Sequence, residues 1–224
     1  MQKEMKICLP FYKMAYSFFF VAVLSLIRGV NFTYEIGVAL EPQMALLTGV
    51  VCADTYVQEI VSKRSEVERL YPLKKRISSI FKRIAIQESY LLVLSVIGYG
   101  LFYLFQNPNS FDRMGFVGAE SEQRLFLFYI VAIVITLFFW GLFSLTISCL
   151  FRNMWAGIGG CLILWIITYS TFGERFFGKW NLFSYAFRNI ENSGDMSWIY
   201  GKFICIVLCF TMVTILPKLI KKRG

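Results

Sequence analysis

The 224-residue chain contains no histidine. That removes histidine general bases, His-ligated zinc and the Ser-His and Cys-His pairs of nucleophilic catalysis. No pair of carboxylates is spaced for acid–base work. The six cysteines are Cys8, Cys52, Cys149, Cys161, Cys205 and Cys209. Cys205 and Cys209 stand one helical turn apart in an apolar run, a spacing that packed thiols explain more simply than a metal does. Residues 173–180 read GERFFGKW, close to the G-x-x-x-x-G-K-[ST] phosphate-binding loop. Trp180 stands where that loop needs a hydroxyl for magnesium, and the stretch follows an apolar span instead of a strand. The chain therefore carries no credible ATP site, and any energy for work must come from an ion gradient or from a partner. One carboxylate remains conspicuous. Glu41 falls inside an apolar run beside Pro42, on a stripe of small residues, Gly37, Ala45, Gly49 and Ala53, at successive i,i+4 positions. Small residues let a neighbouring helix approach closely, so Glu41 is expected to face protein or a water-filled cavity. A carboxylate at mid-membrane costs roughly 2.5–3.5 kcal/mol, less toward an interface. Glu41, Pro42, Ala45 and Gly49 are thus candidates for a substrate pathway, and a structural hydrogen-bonding role for Glu41 stands beside that reading.

The elements that must position these residues are membrane spans. Hydrophobic residues make up 57% of the chain, aromatics 18% and charged residues 17%, with mean hydropathy +0.60; an average soluble domain is roughly 25% charged. About 20 apolar residues cross a bilayer core. Six runs qualify: about 11–27, 36–54, 88–105, 125–150, 154–172 and 199–217. The expected fold is all-α, a single six-span domain over 1–224. Its long connection is 55–87, and the loops on the opposite side are 28–35, 106–124 and 173–198. Spans four and five should form a tight hairpin. The first run lacks a small-x-small cleavage site, so it reads as a retained span.

Basic residues set the orientation. Sixteen Lys and Arg fall on the side of the termini and of loop 55–87, against seven on the other. The positive-inside rule puts the termini and that loop in the cytosol. With the acids included, the inner side carries +10, the outer side is neutral, and Glu41 brings the total to the formal +9. The basic excess is topological, so nucleic acid is an unnecessary partner, and attraction to anionic lipid is its direct consequence. No cysteine lies in an outer loop, which argues against an extracellular disulfide framework.

Loop 55–87 is the most distinctive stretch. Val57, Ile60, Val61, Val67 and Leu70 recur near helical spacing, Pro72 breaks the helix, and Leu73, Ile77, Ile80, Phe81 and Ile84 form a second apolar stripe among basic residues. A pair of helices on the inner leaflet and a docking element for a cytosolic protein both fit this pattern. Ser144-x-x-x-Ser148 and Ala156-x-x-x-Gly160 are further small-residue pairs, suited to packing within the subunit or to a dimer face.

The stretch QEIVSKRSEVERLYP over 58–72, followed by LKKR, resembles the segment after the second span in permease subunits of type-2 class ABC exporters; Arg64-Ser65 stands where that family often has Gly-Thr. GLFSLTISCLFRN over 141–153 is similar to the family's fourth span running into an Arg-Asn turn, and NLFSY over 181–185 is a weaker match in the last outer loop. The resemblance implies a non-enzymatic half-transporter in a bacterial plasma membrane. Two six-span subunits, alike or different, would pair above two cytosolic ATPase subunits that hold ATP and magnesium. It makes 62–71 a coupling helix, with Glu59, Arg64, Glu66, Glu68, Arg69 and Tyr71 as docking contacts. It implies export of a hydrophobic or amphipathic molecule such as a peptide or drug-like compound, and short re-entrant helices near 173–197. The alternatives are a substrate-binding membrane subunit of an importer and a non-transporting assembly protein.

Overall fold

The computed structural model describes residues 5, 7–57, 72–108, 122–187 and 196–223. They form α1 (Phe11–Ile27), α2 (Thr33–Cys52), α3 (Leu73–Gln106), α4 (Glu122–Phe151), α5 (Met154–Tyr169), α6 (Thr171–Phe177), a 3-10 turn at Gly178–Trp180, and α7 (Trp198–Arg223). Local signals set the boundaries. Glu35 accepts from the backbone N–H of Asn31 and Phe32 and closes the start of α2. Pro72 precedes the first turn of α3, where its missing N–H costs nothing. Arg152 takes a left-handed φ of 53° and Asn153 then caps α5, accepting from the N–H of Trp155 at 2.9 Å; this is the expected tight hairpin.

Among the described residues four helices, α2, α3, α4 and α7, are long and apolar enough to cross a membrane. A fifth span results if α5 and the segment Thr171–Trp180, bent from it by 70°, are taken as one. α1 is apolar but only 17 residues long. The six expected runs thus correspond to four or five spanning helices plus α1. The fifth run ends at Tyr169 instead of 172, because Ser170 caps α6 and turns the chain aside.

α2 and α4 are the central helices. The apolar window of α2 is 72% buried, against 22% for α7, so α7 turns most of its apolar surface outward. One half of the core gathers Leu40, Met44, Leu91, Leu94, Tyr129 and Leu137. The other gathers Trp140, Leu145, Phe183, Cys205 and Leu216. Close approach depends on small residues at a few points. At Gly49 a Cβ would meet Cys161 Cβ at 2.9 Å. α5 seats Gly157 against Ser144 and Ser148 of α4, where a Cβ would overlap Ser148 Oγ. The serine pair is therefore an internal packing face, and the α5 residue that meets it is Gly157, one position on from Ala156. Gly160 packs on Ile147.

α3 has 34 residues, about 51 Å at 1.5 Å per residue, against a hydrocarbon core of about 30 Å. The basic amphipathic stretch after Pro72 and the third apolar run are one uninterrupted helix.

Candidate functional site

Glu41 lies on the face of α2 that packs between α4 and α7, and it is fully buried. Lys202, on the second turn of α7 and also buried, forms an ion pair with Glu41 Oε1. The same ammonium donates to Thr136 Oγ1 of α4 at 2.8 Å and to the Leu182 carbonyl at 2.9 Å. Thr136 Oγ1 lies 2.8 Å from Glu41 Oε1 and 2.8 Å from the Ala132 carbonyl, and has one proton for the two acceptors. Glu41 Oε2 is buried with no hydrogen-bond partner. Four parts of the chain meet here: α2, α4, α7 and the segment before α7.

That segment, 181–187, is non-helical yet almost wholly buried. Irregular backbone survives at membrane depth only where protein satisfies it or where it lines a cavity. Asn181 Nδ2 donates to the Thr168 carbonyl at 2.8 Å, and its Oδ1 accepts from the Phe183 N–H at 2.9 Å. Ser184 Oγ donates to the Trp198 carbonyl at 2.6 Å. Lys202 holds Leu182, and Gly201 lets α7 approach so closely that a Cβ would overlap the Asn181 carbonyl. Phe183 stacks on Trp140 with ring centroids 5.5 Å apart. The segment is a plug between α4, α5 and α7, tied to Glu41 through Lys202.

A second polar cluster lies at the C-terminal end of α2. Lys13 of α1 is buried, pairs with Asp54 and donates to the Val51 carbonyl at 3.2 Å. Gln87 of α3 donates to Val51 at 3.3 Å and Cys8 at 3.4 Å, and accepts from Thr55 Oγ1 at 2.7 Å. Arg76 donates to Tyr56 Oη at 3.0 Å. Ser17 and Tyr90 share a 2.6 Å hydrogen bond. The two chain ends that flank 58–71 are thereby fastened to each other and to α1. The far ends of α1, α3 and α4 meet on the other side, where Gln106 donates to Ser25 at 3.0 Å and Tyr103 to Glu122 at 2.9 Å.

The four candidate pathway residues share one buried face. Pro42 offers its carbonyl to Trp165 Nε1 at 2.8 Å, Ala45 is fully buried, and the Gly49 carbonyl accepts from Ser144. The docking candidates Glu59, Arg64, Glu66, Glu68, Arg69 and Tyr71 lie outside the described residues. Sequence reasoning missed Lys202, Thr136 and Lys13. The two lysines entered the count as loop charges, although each sits within the first two turns of an apolar helix, which was the available signal. Residues 173–177 are helical, unlike the loop between strand and helix that binds phosphate. All six cysteines are buried, and none forms a disulfide. Among the described residues no three His, Cys, Asp or Glu side chains converge as metal ligands.

Comparison with known proteins brings no relative to bear on this site: no protein family, no curated protein and no solved structure matches the chain.

Proposed function

We propose that the chain is the membrane-spanning subunit of an ATP-driven exporter that works with a separate cytosolic ATPase. In this reading α1 and the α5–α6 unit complete a six-span set, the termini and 55–87 face the cytosol of a bacterial plasma membrane, and a second six-span subunit covers the outward apolar faces of the bundle. ATP and magnesium belong to the ATPase.

The observation that carries the reading is the fastening around 58–71. Thr55 is tied to Gln87 and Tyr56 to Arg76, so the described residues on either side of 58–71 are fastened to each other. One side is the end of α2, which bears Glu41. The other is the start of α3, a 34-residue helix that continues through the bundle. A push on 58–71 would move α2 and α3 as rigid levers, which is what a coupling element requires. Glu41, held by Lys202 to the plug, stands near the middle of the α2 lever and marks the pathway.

The test is to purify the chain from its native membrane, identify any ATPase that comes with it, and measure nucleotide hydrolysis by the complex. Charge reversal at Glu66 and Arg69 is expected to abolish coupling without loss of the membrane subunit. Stable expression with no associated ATPase, or full coupling in the reversed variant, refutes the reading.

A further inference from the structure

We propose that α1 is a movable helix. The Lys13–Asp54 ion pair latches its N-terminal end, Gln106 hinges its C-terminal end, and displacement of 58–71 releases the latch. The inference rests on the reading of 58–71 as the coupling segment, and it names the helix that the segment frees.

α1 turns a narrow, mostly polar stripe to the bundle. Its buried positions are Lys13, Ser17, Val21 and Ser25, at four-residue steps. Phe11, Phe18, Phe19, Leu26 and Ile27 are exposed on its other faces. Between lipid-solvated helices there is no hydrophobic drive to associate, so close packing and polar contacts decide. Lys13 pairs with Asp54 and donates to the Val51 carbonyl. Ser17 shares its hydrogen bond with Tyr90 in the middle of the stripe. Gln106 Nε2 donates to the carbonyls of Ser25 at 3.0 Å and Leu26 at 3.3 Å. Val21 fills the space at Gly98 of α3, where a Cβ would lie 2.7 Å from Val21 Cγ1.

The two ends of α1 are held by different chemistry. The C-terminal end is tied through backbone carbonyls. The N-terminal end is tied by opposite charges, and Asp54 lies just before 58–71. The side chains of Lys13 and Asp54 are 6% and 10% exposed, against 2% and 0% for Lys202 and Glu41. The Lys13 pair therefore sits nearer the rim of the fold, where a parted lysine reaches water or headgroups along its flexible stem. The Lys202 pair has no such exit. At 17 residues α1 is about 26 Å long, so a tilt of about 15° about its far end carries Phe11 about 7 Å.

The test places spin labels on exposed positions of the full chain in nanodiscs, since the native cysteines are buried. One pair, Phe11→Cys/Ile215→Cys, reads the N-terminal end of α1 against α7. The other, Ile27→Cys/Phe203→Cys, reads the C-terminal end. Asp54→Asn and Lys13→Met should each shift the first distance by at least about 5 Å and leave the second within about 2 Å. The charge swap Lys13→Asp/Asp54→Lys should return the first distance to its wild-type value. Unmoved labels in both single variants, or equal movement at both ends, overturns the proposal. A staple supplies the functional arm. In Val21→Cys/Gly98→Cys the two Cβ positions fall within disulfide range, roughly 3.5–4.5 Å. In the complex with the co-purifying ATPase, oxidation should slow hydrolysis at least about fivefold and reduction should restore it. Undiminished hydrolysis with the staple closed also overturns the proposal. The spin-label measurements involve no ATPase. A release seen there without any associated ATPase would leave the latch standing and remove the exporter assignment; a coupled complex in which α1 stays fixed would do the reverse.

Discussion

Replacing Lys202 with Met exposes what the buried pair contributes. Lys202 is 1% and Glu41 0% exposed, so solvent screens neither charge. The substitution leaves Glu41 buried with only Thr136 beside it, and leaves the Leu182 carbonyl without its donor. Removing one member of a buried pair typically costs about 3–5 kcal/mol, because the remaining charge is uncompensated. At about 1.4 kcal/mol per factor of ten, that lowers the folded-to-unfolded ratio by roughly 100-fold to a few thousandfold. Glu41→Met/Lys202→Met removes both charges and leaves mainly the Leu182 carbonyl unsatisfied, a cost of about 1–3 kcal/mol. The double variant should therefore be more stable than either single one, with a coupling of at least about 2 kcal/mol. Equilibrium unfolding in mixed micelles, titrated with a denaturing detergent, reads all four proteins. If Lys202→Met unfolds within about 0.5 kcal/mol of wild type and the double variant equals the sum of the singles, the pair is not the organising contact that its geometry implies.

Three further outcomes follow from the packing. Gly157→Ala places a Cβ into Ser148 Oγ and 2.8 Å from the Ser144 carbonyl; it should cost about 1–3 kcal/mol. Gly159→Ala, with nothing within 4 Å, should be neutral or stabilising by up to about 1 kcal/mol, and the same unfolding assay compares the two. Gly201→Ala pushes on the Asn181 carbonyl and Ser184, so hydrogen exchange followed by mass spectrometry should speed up over 181–187 while α2 keeps its protection. Lys13→Met should raise exchange at the start of α1 and around Val51–Tyr56, and Lys13→Met/Asp54→Asn should restore part of the protection.

The elements were legible in the sequence because each rests on local signals. Apolar runs place the helices, Pro72 starts α3, and Arg152-Asn153 turns the α4–α5 hairpin. The small-residue stripe around Glu41 correctly marks a buried face, since Gly37 and Gly49 are where Tyr185 and Cys161 approach α2. The partner of Glu41 was not legible. Lys202 lies 161 residues away, and no spacing rule connects positions that only tertiary packing brings together. A count of charges by side also hides lysines that enter a helix. The continuity of α3 is an intermediate case. Its proline start and both apolar stretches are plain in the sequence, but the absence of a break between them near Gln87 shows only in the folded chain. The plug is a similar case: 181–187 has the composition of an interfacial loop, and its burial depends on Asn181, Ser184 and Lys202 satisfying its backbone.

The central claim is that ATP hydrolysis in a partner drives movement through this chain. The most direct measurement reconstitutes the chain and an ATPase that co-purifies with it in inside-out vesicles and follows uptake of a fluorescent amphipathic amine. The account predicts uptake that requires both proteins and hydrolysable ATP, and that Glu41→Gln reduces at least tenfold. Uptake that is unchanged without the ATPase, or absent although a stable complex hydrolyses ATP, would contradict it.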